Sequence, residues 1–216
     1  MQMTGPRTLT KRLAARVRAF ADRYSHSTDG VAALEFALIV PIMFFMFVGA
    51  IEMSQAITVD RRVSQVASST ADLIARAEKE IQENEVNDIM KIGGYILKPY
   101  AEGPVIITVR NVTSSPTNAL DTKETWRCVY SGLTKSQTCS CVNQTFNIPA
   151  GLVGTNDSVV VSEATYDYRP LIYDYFLSRR MTSGPAGPGT YRFSERIHLK
   201  PRSQAAKLKF ANGTTC

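Results

Sequence analysis

Apolar positions fall into three successive patterns along the chain. From Val31 to Ile51 almost every residue is apolar: Val31–Leu34, a single Glu35, then sixteen positions from Phe36 to Ile51 without a charge. About 20 apolar residues at roughly 1.5 Å rise span a hydrocarbon core of about 30 Å, so these 21 positions suffice for a membrane helix. Pro41 removes one backbone hydrogen bond and predicts a kink there, which membrane helices tolerate. Glu35 is the exception to the pattern. An ionised carboxylate costs roughly 2.5–3.5 kcal/mol at the centre of a membrane helix and less near an interface, and intramembrane acids are functional by default. The bland alternative places Glu35 at the level of the lipid headgroups.

After Glu52 the pattern becomes amphipathic. Val59, Val63, Val66, Thr70, Leu73 and Ala77 recur at alternating steps of four and three, with Asp60, Arg61, Arg62, Gln65 and Asp72 on the other face. This predicts a helix with one buried stripe, continuing to about Glu83. There are fewer than four clean heptads, so packing on the protein's own sheet is expected rather than a coiled coil. A second helical piece, Glu85 to Ile92, is expected to stop at Gly93-Gly94.

The third pattern is that of strands. Val105–Val112, Thr125–Tyr130, Ser158–Tyr168 and Tyr191–Leu199 are rich in Val, Ile, Thr and aromatics and are separated by Gly, Pro, Asn and Ser clusters. Leu171 to Arg180 reads as a short helix or loop and Thr182–Thr190 as a surface loop. A long kinked N-terminal helix followed by an antiparallel sheet makes the expected class α+β. Four segments follow: a basic leader over 1–30, a membrane helix over 31–52, a helical stalk over 53–94 and a sheet domain over 95–216.

Charge changes the picture at the N-terminus. The net charge is +6, but residues 1–30 hold Arg7, Lys11, Arg12, Arg16, Arg18 and Arg23 against Asp22 and Asp29 and so supply most of it. Thr8 to Tyr24 can form a basic helix with Leu9, Leu13, Val17 and Phe20 on one stripe, suited to an anionic membrane surface. Thr28 or Asp29 would cap the next helix. A basic flank before an apolar span marks a cytoplasmic end. Nucleic-acid binding would need such a patch on a folded surface with base-reading partners, so no nucleic-acid role is expected.

All four cysteines, Cys128, Cys139, Cys141 and Cys216, follow the apolar span. With the leader in the cytoplasm they lie on the oxidising side, where disulfides persist. Cys128 with Cys139 or Cys141 would close a short loop, and Cys139 with Cys141 is sterically poor. Cys-x-Cys lacks the second pair or histidines of a zinc site, so neither metal nor cofactor is expected. Catalysis has little support. His198 is the single histidine after the span, on an expected strand between Arg196 and Lys200, and no Gly-x-Ser-x-Gly, His-Glu-x-x-His or P-loop pattern occurs. Glu163, Asp167 and Asp174 read as solvated acids rather than an acid/base pair. Trp126, Tyr130, Tyr166, Tyr168, Tyr173 and Tyr175 read as sheet packing before a binding patch.

A basic leader, Gly30, Val31-Ala32-Ala33-Leu34 and then Glu35-Phe36 resemble the type IV prepilin pattern. The wording GVAALEFALIVPIM, followed by GAIEMSQAITVDRRVSQVASSTADLIA, is similar to the TadE-like proteins of tight-adherence (Tad/Flp) pilus loci. The resemblance covers residues 30–75 closely and 158–202 loosely, where Tyr166, Tyr168 and Pro170 and the stretch Lys200-Pro201-Arg202 fit. It implies a minor pseudopilin, an assembly subunit acting in pilus biogenesis and adherence. It further implies cleavage between Gly30 and Val31 by a prepilin peptidase, Glu35 paired with a neighbouring subunit's new amine, and Glu52 where the helix leaves the bilayer. Its implied partners are that peptidase, other pilin-like subunits and the inner-membrane Tad machinery. The implied place is the bacterial inner membrane, single pass, with the C-terminal part periplasmic. Two other outcomes fit the residues: an unprocessed membrane-tethered binding or sensor domain, and a secreted protein cut after Ala50, behind Val48-Gly49.

Overall fold

The computed structural model describes residues 29–77, 80–170, 190–202, 207–210 and 212–216. The expectations for the leader helix, for Thr28 as a cap, for 171–180 and for most of the 182–190 loop lie outside the described residues. The chain divides into two compact units, Met1–Ile51 and Glu52–Cys216.

In the first unit the described residues are the opening turns of helix α1 (Asp29–Ala75). Its large apolar side chains from Val31 to Phe47 are exposed on every side, Phe36 and Phe47 among them, and Val48 is half-buried. By length and composition the helix can cross a membrane.

The second unit begins at Glu52 and contains the rest of α1. Here the helix buries one stripe: Val59, Val63, Val66, Ala67, Thr70, Ala71 and Ile74. The expected stripe ended differently, with Leu73 buried, but Leu73 is 38% exposed and Ile74 takes its place. A strict 3.5-residue seam drifts by about 20° per heptad on a straight helix of 3.6 residues per turn, which carries Leu73, two heptads beyond Val59, towards the edge of the buried stripe. The helix also stops at Ala75 rather than near Glu83. Its Ala75 carbonyl accepts the backbone N–H of Arg202 at 3.0 Å, a tertiary partner for one of the carbonyls a helix end leaves open.

A short strand β1 (Glu80–Gln82) follows, then helix α2 (Glu83–Ile96). The Gln82 backbone N–H donates to Glu85 Oε2 at 3.0 Å, and Glu83 and Glu85 in the first turn suit the positive end of the helix dipole. The expected stop at Gly93-Gly94 does not occur; the helix runs through both. A β-carbon on Gly93 would meet Ile107 Cδ1 at 3.0 Å, Thr70 Oγ1 at 3.2 Å and Val66 Cγ1 at 3.3 Å. The glycines serve close approach of α2 to α1 and the sheet instead of helix termination.

Five antiparallel strands form the sheet: β2 (Val105–Ser114), β3 (Thr122–Ser131), β4 (Ser136–Thr145), β5 (Ser158–Tyr168) and β6 (Tyr191–Leu199), in spatial order β4-β3-β2-β5-β6. Alternation along β2 and β3 sends Val105, Ile107, Val109, Trp126, Cys128 and Tyr130 into the core that both helices cover. A bulge at Asn111/Val112 shifts the register, and Val112 joins Val153, Val159 and Val161 in a second, smaller cluster. Strand β7 (Lys207–Lys209) pairs parallel to β1, with Leu208 beside Ile81, both buried.

Candidate functional site

The residues singled out by sequence lie in two places. In the first unit, Gly30, Val31, Glu35, Phe36 and Pro41 all belong to α1. Gly30 is exposed, with no atom within 4 Å of where a β-carbon would sit. It is helical here, whereas a protease needs an extended backbone. It stands in the first turn, where N–H groups have no intrahelical partner, and glycine is a poor helix former, so opening this turn is cheap. Val31 and Glu35 stand four residues apart and share one face of the helix. Glu35 and Phe36 are exposed. Pro41 lies inside α1, which continues past it without a break.

In the second unit, Glu52 is its first residue and is buried, only 9% exposed. Tyr168 lies nearby. Burial, together with the charge of Glu52 and the proximity of Tyr100, raises the Tyr168 phenol above its ordinary value. The Tyr168 hydroxyl donates to Gln55 Oε1 at 3.4 Å, one turn further along α1.

The cysteines form two disulfides. Cys128 pairs with Cys139, directly opposite it in the β3–β4 ladder, and Cys141 pairs with Cys216. The second bond joins β4 to the chain end over a separation of 75 residues. The backbone N–H of Cys216 also donates to the Leu208 carbonyl at 2.9 Å, so strand, tail and disulfide fix one another.

The remaining candidates are structural. Trp126, Tyr130 and Tyr166 are in the core; Tyr130 donates to Glu102 Oε1 at 2.7 Å, and burial and that bond push its phenol well up. Asp167 is held by Arg192 at 2.7 and 2.9 Å, and Glu163 by Arg110 and Arg196 at 3.4 and 3.1 Å. Burial, aided by Arg196, lowers the His198 imidazole below its ordinary value. Tyr173, Asp174 and Tyr175 lie outside the described residues. Among the described residues no three His, Cys, Asp or Glu side chains are grouped to hold a metal.

One feature escaped the sequence reading. Arg110 and Arg127 stand directly opposite each other on β2 and β3, an unfavourable like-charge pair. The buried carboxylate of Glu124 lies between them, with Arg127 at 2.6 and 2.5 Å and Arg110 at 3.7 Å. The guanidinium of Arg110 also lies over the Phe146 ring at 4.7 Å. Glu124-x-x-Arg127 was the available signal. It was uninformative because only the bulge between Glu124 and Trp126 brings both side chains together.

No curated protein and no solved structure matches the chain. Residues 30–72, the apolar run with its one acid and the amphipathic turns that follow, match the family model described as TadE-like protein.

Proposed function

We propose that this protein is a minor pseudopilin, an assembly subunit of a Tad-type type IV pilus, cut after Gly30 by a prepilin peptidase. Residues 31–51 hold it in the inner membrane and the unit from Glu52 onward lies in the periplasm. The observation that carries this reading is the TadE-like match over 30–72, which contains a helix apolar on all faces with one carboxylate, Glu35, four residues after the residue that cleavage would make N-terminal. The match supports a place in a pilus system; role and processing go further. Two supports are physical. A helix with no polar face has nothing to gain from water and must be covered by lipid or other apolar helices. Two disulfides in the second unit suit an oxidising compartment such as the periplasm.

N-terminal sequencing of the protein recovered from membranes tests the proposal. Val31 is the expected first residue. A chain that begins at Met1 or Gln2 would instead be an unprocessed tethered domain, and one that begins at Ile51 a secreted protein; either result overturns the proposed processing.

A further inference from the structure

The two disulfides differ in what surrounds them and in what they hold. Cys128 is fully buried in the core, and its bond to Cys139 crosses the middle of the β3–β4 ladder. The Gln137 side-chain amide, which also donates to the Glu83 carbonyl at 3.2 Å, covers the half-buried Cys139 with its nitrogen 2.7 Å from the sulfur. Ladder pairs hold β4 on both sides of this bond, from Ser136 opposite Ser131 to Thr145 opposite Lys123. Opening it would release neither strand. In the other bond Cys141 is exposed and Cys216 is half-buried.

Little besides that second bond holds the segment that carries β7 and Cys216. β7 has three residues and pairs only with β1, in a two-stranded sheet, and an isolated two-stranded pair is marginal in water. The Cys216 N–H donates to the Leu208 carbonyl at 2.9 Å and the Phe210 N–H to the Thr214 carbonyl at 2.8 Å, but both bonds lie within the segment. Lys209 Nζ stands 3.9 Å from Glu80, an exposed ion pair that adds little. Leu208 is the segment's one fully buried side chain among its described residues. β1 has no other strand partner among the described residues, and it connects α1 to α2.

Thiol–disulfide exchange requires a thiolate to reach a sulfur, so access decides which bond exchanges. Cys141 stands open on β4, and no charged side chain lies on that strand from Ser136 to Thr145 to repel a thiolate. We infer that Cys141–Cys216 is a redox latch, which a dithiol opens ahead of Cys128–Cys139 to free β7 from β1 while the five-stranded sheet stays intact. One thiolate of the dithiol bonds to the Cys141 sulfur as the disulfide breaks, and Cys216 leaves as a thiolate that takes up a proton. The second thiol then displaces Cys141, so the dithiol ends as its own disulfide and the protein is reduced by two electrons. The disulfide form of the same reagent closes the latch by the reverse steps. The latch lies wholly in the second unit and stands whether or not the chain is cut after Gly30.

The test uses the full chain in detergent, treated with limiting dithiothreitol, quenched with iodoacetamide and mapped by peptide mass spectrometry. Cys141 and Cys216 should be alkylated at least about tenfold faster than Cys128 and Cys139, because a buried sulfur reacts only when the sheet opens. Hydrogen exchange of the partly reduced protein should quicken over β1 and β7 and stay unchanged over β2, β3 and β5. Cys141→Ser with Cys216→Ser should show that same pattern without reductant, and the same dose of dithiothreitol should not change it further. Equal alkylation of both pairs, or earlier alkylation of Cys128 and Cys139, would overturn the latch. So would selective opening that leaves β1 and β7 as protected as before, since the bond would then hold nothing in place.

Discussion

Asp157 carries much of the order of the turn before β5. Its Oδ2 accepts the Gly154 N–H at 3.1 Å and its Oδ1 the Ser158 N–H at 2.8 Å, while Lys200 Nζ lies 2.5 Å away. Burial alone would raise its carboxyl, but the Lys200 bond, the two backbone donors and the Lys200 charge outweigh burial and hold it below its ordinary value. A carboxyl depressed on folding stabilises the fold fully above its unfolded value of about 3.9, and that contribution fades as pH falls through the lower folded value. Asp157→Asn should therefore cost about 1–2 kcal/mol at pH 7, and the gap from the parent should close as pH is lowered below about 4. Urea denaturation at a series of pH values measures both, and comparison at each pH cancels the contributions common to both proteins, that of His198 among them. A gap independent of pH would refute the assignment to the carboxylate. Such residues were poorly legible in the sequence. Asp157 sits in an Asn-Asp-Ser turn, where acids are ordinary, and its partner Lys200 is 43 residues further along the chain. Gly93 misled for a related reason: the local rule for glycine favours a helix end, and only the nearness of Ile107, Thr70 and Val66 shows that packing won.

Elements were legible where periodicity and burial agree. β5 and β6 have the bounds their Val, Ile and aromatic content predicts, and β2 and β3 extend only a few residues beyond theirs. β4 was missed entirely. Ser136–Thr145 is SQTCSCVNQT, a polar edge strand whose residues are largely exposed, so it carries neither alternation nor β-branched density, and its ladder to β3 and Cys139 hold it in place. β1 and β7 were invisible too, since three-residue strands leave no period. The disulfides secure these weak elements. In chain-entropy terms a link closing about 75 residues stabilises by about 4.5 kcal/mol and one closing about 12 by about 2.8 kcal/mol. Cys141→Ala with Cys216→Ala should thus cost about 1.5 kcal/mol more than Cys128→Ala with Cys139→Ala, less whatever the cavity at buried Cys128 adds to the second pair. Chemical denaturation of the two double variants gives the order. Hydrogen exchange should locate the effect of the first pair in β1 and β7; loss of protection spread evenly over the sheet would show that the tail link secures more than the tail.

At the scale of the molecule, the question is why a helix built to sit in lipid keeps an acid. An isolated carboxylate in hydrocarbon costs several kcal/mol less when neutralised or paired than when left alone. Cleavage after Gly30 would create an α-amine at Val31, on the same helix face as Glu35. In an assembly of such helices the amine of one subunit can meet the Glu35 of the next, so that neither charge is left bare and only one axial register brings them together. Removing the acid strands the amine, which is worse than removing both charges. Under the proposed processing, Glu35→Ala should therefore leave leader removal largely intact, because cleavage would act on one chain at a time, yet reduce incorporation into pili. A pairing worth even ~1.4 kcal/mol corresponds to about tenfold in occupancy. The measurement is paired: immunoblot mobility for cleavage, and pilus yield in cells whose only copy is the variant. Normal piliation would remove Glu35 from assembly and return it to a headgroup-level side chain. Loss of cleavage alongside loss of pili would place its role in recognition by the peptidase instead. Cleavage with more than about tenfold fewer pili is the outcome that a register-setting charge pair requires.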